Sequence, residues 1–335
     1  MNKKTAILLI NLGTPDSLTK KSIKKFLSEF LNDARVINLP FLLRKILVNL
    51  IIVPFRTSKS KKLYEKLWTK EGSPIITKSK ALVKKLNHKL DENHNAFIAM
   101  RYRNPSIKSV LNQIKSENFS KIIIIPLFPQ YASSTTGSVI EKTISLIKNQ
   151  NNFTDIEIIS SFYDNTFFID AWIKKIKEQD LDNFEHILFS YHGLPIKHVE
   201  QTHKNKSCQN YNCKNEINEN NQFCYLAQCY ETTRLIANKL NLDKEKFTTC
   251  FQSRFSKNWL SPFADEIIIE KAKEGIKNIL VVSPSFTADC LETIVEIGID
   301  YKELFLKNGG KNLQLVESLN DDDLFVKTIL DLIKV

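Results

Sequence analysis

The sequence predicts an α/β protein with two similar halves, each built on a parallel sheet flanked by helices. Continuous apolar runs such as KIIIIPLF and KNILVVSPSF are rich in β-branched residues, which is typical of parallel strands buried on both faces. Lysine-rich amphipathic stretches, for example 78–92 and 265–277, lie between such runs. This alternation favours βαβ units with right-handed crossovers, and the 335 residues suffice for two domains.

Eight strands are predicted, in two groups of about four that divide near residues 160–180. They are expected at residues 5–12, 96–102, 121–128, 155–161, 186–191, 247–252, 278–283 and 313–317. The apolar run of the first strand is short and is followed by a turn sequence, NLGTPDS. We therefore interpret it as a buried strand rather than a signal peptide, and we expect a cytoplasmic protein.

The composition is that of a soluble globular protein, with 42 % hydrophobic and 25 % charged residues. The formal net charge of +11 is compatible with an anionic membrane surface or an acidic small molecule. Lysine and arginine do not cluster with aromatic residues, so we do not predict a nucleic-acid partner.

Three predicted strands end in residues that suggest chemistry. HILFS is followed by His192, IIIIPLF by the hydroxyl-rich PQYASSTTGS, and NILVVSP by an acidic segment. Ligand sites in parallel α/β sheets lie beyond the carboxyl ends of the strands. An imidazole at such an edge is a candidate base, because histidine titrates near neutral pH.

The acidic segment is PSFTADCLETIVEIGIDY, residues 284–301. On an α-helix, Glu292, Glu296 and Asp300 would share one face, with Asp289 just upstream. Their neighbours are apolar, so half of the helix should be buried. Exposed like charges at this spacing repel by about 0.2–0.5 kcal/mol per pair. A row of carboxylates that persists beside a core suggests a path for a cation or for protons.

An apolar stretch at residues 36–55, VINLPFLLRKILVNLIIVPF, has the length of a membrane span. Arg44, Lys45 and Asn49 interrupt it and gather on one side of a helix, and Pro40 and Pro54 break it. We therefore interpret residues 36–56 as an apolar lip that rests on a membrane surface rather than as a transmembrane helix. The basic net charge would assist contact with anionic lipid.

Seven motifs follow one another along residues 5–330: NLGTPDS, GSPI, MRYRNPSI, PLFPQYASSTTGS, SYHGLP, QSRFSKNWLSP and PSFTADCLETIVEIGIDY. Together and in this order they resemble the motifs of the ferrochelatase family. The resemblance implies a class II chelatase fold, with two Rossmann-like domains, parallel four-stranded sheets and a porphyrin cleft between them. It divides the chain into 1–165, which carries the lip; 166–310, with a cysteine-rich insertion at 203–229; and 311–335, a strand and helix that return to the first domain.

The implied activity is insertion of Fe²⁺ into protoporphyrin IX, which gives protohaem and two protons in the last step of haem b biosynthesis. The enzyme must bend the porphyrin, accept its two N–H protons and deliver a partly dehydrated ion. By resemblance, His192 accepts protons, contacts the metal or does both, and Glu292 faces it across the cleft. Glu296 and Asp300 continue the acidic row toward solvent, and Asp289 supports the site. Imidazole and carboxylate ligands would bind Fe²⁺ without trapping it.

Six further positions correspond to porphyrin-binding residues of the family. They are Ile37, Arg101, Tyr102, Ser133, Trp259 and Phe286. Arg101 is expected to hold a propionate, and Tyr102 to stack on the substrate or to donate a hydrogen bond. Ser133 lies in the loop expected near the propionates. Trp259 and Phe286 are flat rings suited to a flat substrate.

Four cysteines in the insertion form the pattern C-x4-C-x10-C-x4-C. They are Cys208, Cys213, Cys224 and Cys229. Their clustering in a large chain suggests a metal site rather than disulfides. Some ferrochelatases carry a [2Fe–2S] cluster, which is the interpretation we favour over zinc or free thiols. Cys229 has an alternative structural interpretation, and His198 and His203 are candidate replacement ligands.

Two other functions remain open at this point: a chelatase of the same fold acting on coproporphyrin or another tetrapyrrole, and a non-catalytic iron or haem sensor. The lip resembles that of the protoporphyrin-using members. Protoporphyrin is poorly soluble, so we expect peripheral contact with the inner face of the membrane, or with a protoporphyrinogen-oxidising enzyme, to supply it.

Overall fold

The computed structural model describes residues 4–148, 155–204 and 207–334, which form two compact units. The first comprises the described residues of Met1–Phe128, Ser133–Ser161 and Leu332–Val335. The second comprises those of Pro129–Ala132 and Phe162–Asp331. Each unit contains one four-stranded parallel sheet, as the sequence predicts.

The sheet of the first unit has the strand order β2-β1-β3-β4. Its strands are β1 (Thr5–Gly13), β2 (His94–Tyr102), β3 (Lys121–Pro126) and β4 (Asp155–Ile158). β1 lies between two partners, and its residues Ala6, Ile7, Leu8, Leu9 and Ile10 have no exposed surface. This confirms the interpretation of the N-terminal apolar run as a buried strand.

Six of the described helices belong to this unit. They are α1 (Lys20–Leu31), α2 (Phe41–Ile46), α3 (Val53–Leu67), α4 (Pro74–Asn87), α5 (Ile107–Ser116) and α6 (Ser138–Ile147). π-Helical segments, Leu47–Ile52 and Ser133–Gly137, precede α3 and α6. The core packs β1 and β3 against α5, with Leu8, Ile124, Val110 and Ile114 among its buried members.

The predicted lip is helical from Phe41 onward and exposes a row of large apolar side chains. Leu42 is 72 % exposed, Leu50 70 % and Phe55 81 %. The interrupting Arg44 is buried instead, and its guanidinium donates to the backbone carbonyls of Asn32 and Leu39. Arg44, whose charge makes a membrane span unfavourable, therefore holds the start of the lip to the backbone that precedes it. Among the described residues, no helix is long and apolar enough to cross a membrane.

The sheet of the second unit has the strand order β6-β5-β7-β8. Its strands are β5 (His186–His192), β6 (Phe247–Gln252), β7 (Asn278–Val282) and β8 (Asn312–Leu315). Its helices are α7 (Thr166–Lys177), α8 (Ile196–Glu200), α9 (Tyr225–Lys239), α10 (Ala264–Lys273), α11 (Lys302–Lys307) and α12 (Asp323–Ile333). One core cluster packs Leu188 and Val281 of the sheet against Ile268 and Phe305 of the helices.

The C-terminal segment 311–335 differs from the expectation. β8 pairs in parallel with β7, from Asn278 opposite Asn312 to Val281 opposite Leu315. α12 belongs to the second unit as far as Asp331, whereas its last residues, Leu332 and Ile333, belong to the first unit. The strand therefore completes the second sheet rather than returning to the first domain, because it supplies the edge partner for β7.

The acidic helix also differs from the expected α-helix. Leu291–Tyr301 is π-helical and continues directly into α11. The hydrogen bond from the amide of Lys302 to the carbonyl of Ile297 shows the five-residue spacing. Acidic residues four positions apart in the sequence are compatible with either helix type, so the sequence pattern alone did not distinguish them. Long π-helical segments are rare, and they occur frequently at functional sites.

Candidate functional site

The candidate site lies at the carboxyl edge of the second sheet. His192 and Gln252 are the last residues of β5 and β6 and lie opposite each other in the register of the pair. The chain that leaves β7 reaches Phe286 and then the π-helical segment. The parallel arrangement thus brings three segments, remote in sequence, to one edge, where α/β proteins bind ligands.

The imidazole of His192 is held in one orientation. Its Nδ1–H donates to the carbonyl of Gly193 at 2.6 Å, because a carbonyl can only accept. The lone pair of neutral His192 is therefore on Nε2. The backbone around it is also fixed, since its amide donates to Ser285 Oγ at 3.2 Å and its carbonyl accepts from the Tyr225 hydroxyl at 2.9 Å.

Two aromatic rings flank the imidazole. The ring centroids of Trp259 and Phe286 are 6.5 Å and 6.2 Å from that of His192, and both rings are tilted relative to it. Trp259 is held there because its segment pairs with the loop after β5, with Leu260 donating to the carbonyl of Leu194 at 2.9 Å. Two predicted substrate-binding residues thus lie beside the predicted base.

Gly193 permits this close approach of the two loops. Its amide donates to the carbonyl of Gln252 at 2.8 Å. A Cβ atom at this position would lie 2.7 Å from that carbonyl oxygen, which is closer than a carbon side chain tolerates. A glycine is therefore needed immediately after His192 for sheet edge and loop to meet.

Glu296 is held by several hydrogen bonds. It accepts hydrogen bonds from Gln252 Nε2 at 3.1 Å, from the amide of Ser253 at 2.8 Å and from the hydroxyls of Ser253 and Tyr301. Burial raises the pKa of Glu296 above its ordinary value, in spite of these bonds.

Two nearby charges also act on this carboxylate. The carboxylate of Glu292 raises the pKa of Glu296 further, whereas His192 lowers it. Glu292, Glu296 and His192 therefore form one electrostatic group at the sheet edge. Such a group can share a proton or accept a cation that relieves its internal repulsion.

The buried Gln252 links this group to β6, and sequence reasoning missed it. Its Nε2 donates both to the carboxylate of Glu296 and to the carbonyl of Glu292, at 3.1 and 3.0 Å. Its Oε1 accepts from Ser190 Oγ at 2.9 Å. The motif QSRFSKNWLSP contains both Gln252 and Ser253, but nothing in the motif alone shows that their polar groups contact the acidic row.

The remaining two members of the predicted acidic group differ in environment. Asp289 is buried, and its carboxylate accepts from Asn320 Nδ2 at 2.8 Å and from the amide of Ser318 at 3.2 Å. These contacts favour the expected supporting role over direct metal contact. Asp300 is exposed at the far end of the π-helical segment.

In the first unit, Arg101 and Tyr102 bind a buried carboxylate that sequence reasoning missed. Asp33 accepts from the Arg101 guanidinium, the Tyr102 hydroxyl and Ser138 Oγ. Burial alone would raise the pKa of Asp33, but the hydrogen bond from Ser138 and the other donors lower it below its ordinary value. A lone aspartate in the turn after α1 gave no signal of this network.

This network changes the expectations for both residues. The Tyr102 side chain is fully buried, so it has no ring face on which a substrate can stack, and the structure does not support the stacking role. The Arg101 guanidinium is paired with Asp33 and also donates to the Ser138 carbonyl at 3.1 Å. Its charge is therefore paired with Asp33 within the unit, and binding of a propionate by Arg101 stays a prediction.

A basic cavity of about 760 Å³ lies beside this network in the first unit. Its lining residues are Lys21, Lys24, Lys25, Ser28, Glu29, Asn32, Asp33, Lys45, Arg101 and Arg103. Of the other predicted substrate-binding residues, Ser133 accepts from Arg35 at 2.8 Å, and Ile37 is half-buried at the start of the lip. The sequence did not predict the cavity, because its lysines come from α1 and α2.

The cysteine-rich insertion contains a compact group of potential metal ligands, all in the second unit. It consists of His203, Cys208, Cys213 and Cys224, whose ligand atoms lie within 4.8 Å of one another. The fourth ligand predicted from the spacing, Cys229, is not among them. It lies inside α9, fully buried, where burial raises its pKa well above the ordinary value. Of the two candidate replacement ligands, His203 belongs to this group and His198 does not.

Comparison with known proteins agrees with this architecture. The ferrochelatase family model matches residues 4–335. The chain is 44 % identical to a ferrochelatase of Legionella pneumophila (strain Lens) over 98 % of each chain, and 40 % identical to one of Coxiella burnetii (strain Dugway 5J108-111) over 99 % of this chain and 94 % of the other. The solved structure of SirB from Bacillus subtilis with Fe³⁺ matches with a TM-score of 0.56 at 12 % identity, over 99 % of this chain and 94 % of the other; this shows the shared chelatase fold. The chain belongs to the ferrochelatase family.

Proposed function

We propose that this protein inserts Fe²⁺ into protoporphyrin IX and releases protohaem and two protons. The observation that carries the proposal is the group formed by His192, Glu292 and Glu296 at the edge of the second sheet. It combines a base whose free nitrogen is defined with carboxylates that can take up protons and hold a divalent cation. Membership of the ferrochelatase family supports the same reaction.

The group meets the chemical requirements of porphyrin metallation. Two pyrrole protons must leave the ring, and His192 Nε2 is the proposed first acceptor because its Nδ1–H is already committed to Gly193. Glu296 interacts electrostatically with both His192 and Glu292, so we propose that a proton taken by the imidazole passes to this carboxylate. Oxygen and nitrogen ligands of this kind bind Fe²⁺ moderately, as transfer to the porphyrin requires.

The acidic row provides a direction for iron entry. Glu292 and Glu296 are half-buried, and Asp300 is exposed at the other end of the same helical segment. We propose that Fe²⁺ is attracted first to Asp300 and then passes along Glu296 and Glu292 to His192. Asp289 acts in this scheme by fixing the start of the segment through Asn320.

The flanking rings are the proposed porphyrin contacts of the second unit. Trp259 and Phe286 are half-buried beside His192, and offset aromatic contacts suit a flat macrocycle. For the first unit, Ile37 and Ser133 remain proposed contacts. Arg101 and Tyr102 are proposed to act indirectly, by holding Asp33 and Ser138 in place.

An assay of both substrates tests the proposal. Anaerobic Fe²⁺ insertion is followed with protoporphyrin IX and with coproporphyrin under the same conditions. We expect protoporphyrin IX to be the better substrate by kcat/KM, because the lip is apolar and suits a substrate with fewer carboxylates. Preference for coproporphyrin would support the alternative chelatase, and absence of insertion with tight haem or iron binding would support a sensor.

We further propose peripheral membrane contact through the lip. Its exposed side chains include Phe41, Leu42, Leu43, Ile46, Leu50, Ile51 and Phe55. Lys45 lies among them with its ammonium 5.6 Å from the ring of Phe41. This combination of apolar side chains and basic groups is typical of helices that lie in the interface of anionic bilayers. A cytoplasmic protein attached to the inner membrane face, or to a porphyrinogen-oxidising enzyme, would receive a poorly soluble substrate there.

The cysteine-rich insertion is proposed to bind a resident metal in addition to the substrate iron. Its four potential ligands are close enough for coordination. The sequence leaves open a [2Fe–2S] cluster, zinc or free thiols, and the distances between the ligand atoms bear on this choice.

A further inference from the structure

The insertion presents four ligand atoms from four separate positions of the chain. Cys208 precedes a short helical turn, Cys213 follows it, Cys224 caps α9, and His203 follows α8. Cys213 is 1 % exposed, Cys224 0 % and His203 4 %. Burying several thiolates and an imidazole next to one another costs free energy unless they are hydrogen-bonded or bind a metal ion.

Two of the six distances between ligand atoms match the edges of a single tetrahedron, and the other four do not exceed 4.8 Å. Cys208 Sγ and Cys224 Sγ are 3.8 Å apart, and Cys213 Sγ is 3.4 Å from His203 Nε2. A zinc ion with Zn–S near 2.3 Å and Zn–N near 2.0–2.1 Å requires neighbouring ligand atoms about 3.5–3.8 Å apart. The imidazole is held by parallel stacking on Tyr211, with ring centroids 4.6 Å apart, and Nε2 is the atom that faces the thiols.

A two-iron cluster fits this group poorly. In such a cluster two ligands bind each iron, so ligands on different irons are separated by the iron–iron distance in addition to their own bonds. Here all four atoms lie within 4.8 Å of one another. Cys229, which a four-thiolate cluster would require, lies in α9 next to Tyr225 and outside the group.

We propose that His203, Cys208, Cys213 and Cys224 bind one zinc ion in a closed Cys₃His site. Three thiolates and one imidazole in a tetrahedral arrangement are a ligand set of structural zinc sites. No ligand position is left open, so the ion serves the fold of the insertion and not the transfer of iron.

The surrounding loop is organised to hold the site. Asn221 is buried and donates from Nδ2 to the carbonyls of Tyr211 and Glu216, and its own carbonyl accepts from the amide of Cys224. Cys224 in turn begins α9, whose next residue, Tyr225, donates to the carbonyl of His192. The zinc therefore fixes the end of α9 that supports the candidate base.

Metal analysis of the full chain tests this proposal. The protein is purified without oxygen, and zinc, iron and acid-labile sulfide are measured per chain. We expect one zinc and no sulfide in the wild type. X-ray absorption at the zinc edge should give three sulfur neighbours and one nitrogen neighbour. Iron with sulfide, and visible absorption that bleaches on reduction, would overturn the proposal, as would a protein without stoichiometric metal.

Matched variants identify the ligands. His203→Ala and Cys213→Ser should each lower the zinc content at least tenfold after dialysis against a chelator, whereas Cys229→Ala should retain it. Loss of zinc in Cys229→Ala with retention in His203→Ala would contradict the proposed ligand set. Since a ligand variant can unfold, the wild type is also loaded with Co²⁺, whose spectrum should show tetrahedral thiolate coordination. None of these readouts depends on porphyrin metallation.

Discussion

The side-chain amide of Gln252, at the end of β6, donates to the carboxylate of Glu296 in the π-helical segment at 3.1 Å. The same nitrogen donates to the backbone carbonyl of Glu292 at 3.0 Å. One fully buried amide thus fixes both the backbone of the proposed iron-binding segment and one of its carboxylates. We therefore propose that Gln252 acts as a positioning residue for the two predicted iron ligands.

We predict that Gln252→Leu lowers both stability and activity. The substitution leaves the buried Ser190 hydroxyl and the Glu292 carbonyl without this partner, and an unsatisfied buried group costs about 1–3 kcal/mol. Urea unfolding measures the loss of stability, and kcat should fall more than KM rises because the carboxylates are displaced rather than the substrate contacts. Gln113→Leu on the exposed face of α5 is the control. If Gln252→Leu matched it in both measurements, the positioning role would be wrong.

The strands and the position of the candidate base could be predicted from local sequence. Runs such as KIIIIPLF have no polar face, so they specify strands buried on both sides. His192 follows such a run, and parallel topology alone then places it at a ligand-binding edge. The predictions depend only on short-range pattern and on the rule that adjacent parallel strands end at the same edge.

The errors share a physical origin, which is the direction of side chains. Cysteine spacing suggested Cys229 as a ligand, but inside α9 its direction is set by helix geometry, and it points into the core beside Tyr225. His203 lies in a turn and is free to face the thiols. Likewise, the sequence motif identified Arg101 and Tyr102 but not their common partner. Asp33 precedes them by 68 and 69 residues, so no local pattern connects it to them.

We predict that His192→Ala removes nearly all iron insertion. The variant lacks the imidazole whose Nε2 is left free by the contact of Nδ1–H with Gly193, and general base catalysis typically contributes about 10²–10⁴-fold. Anaerobic turnover with protoporphyrin IX measures the effect. His88→Ala, in the exposed end of α4, should retain wild-type activity. Ordinary turnover by His192→Ala would show that another group accepts the protons.

Stability should depend on pH through Glu296. Burial, with the Glu292 charge adding to it, raises the pKa of Glu296 above its ordinary value of 4.5. The folded state therefore binds this proton more tightly than the unfolded state, so the contribution of Glu296 to stability is present at low pH and falls as pH rises from about the ordinary value through the raised folded pKa.

Glu296→Gln should remove that dependence. Unfolding free energies, measured in urea from acidic to neutral pH, should show the variant gaining stability relative to wild type as pH rises. Its amide oxygen can still accept from Ser253, so the gain is not masked by loss of every contact. Glu303→Gln, an exposed substitution in α11, provides the reference. A difference between Glu296→Gln and wild type that is constant with pH would show that ionisation of Glu296 carries no penalty.

Asp33→Asn should be strongly destabilising. The Asp33 and Arg101 side chains are 7 % and 13 % exposed, and removal of one partner from a buried ion pair typically costs about 3–5 kcal/mol. The lowered pKa of Asp33 has a further consequence. Its stabilising contribution is present above its ordinary pKa and is lost as pH falls through the lower folded value.

The control for this pair is Asp16→Asn. Asp16 binds Arg103 in a more exposed pair, with side chains 33 % and 21 % exposed, and surface pairs contribute about 0–1 kcal/mol. Thermal and urea unfolding of the two variants should therefore differ by several kcal/mol. Equal losses would indicate that the Asp33 network is no more important to the fold than a surface ion pair.

The lip should bind anionic bilayers through its apolar side chains. We predict that the combined substitution of Leu42, Leu50 and Phe55 by serine weakens binding to phosphatidylglycerol-containing vesicles at least tenfold, because each side chain is more than two-thirds exposed in the protein alone. Burying a large apolar side chain stabilises by about 1.5–3 kcal/mol, and only about 1.4 kcal/mol corresponds to tenfold in affinity.

Phe255→Ser is the matched control, since Phe255 is 84 % exposed but lies in the second unit, away from the lip in sequence. Vesicle sedimentation at two salt concentrations separates the apolar contribution, which salt does not screen, from that of the lysines. Equal binding by the triple variant and wild type would place the contact elsewhere and leave the exposed row without a membrane role.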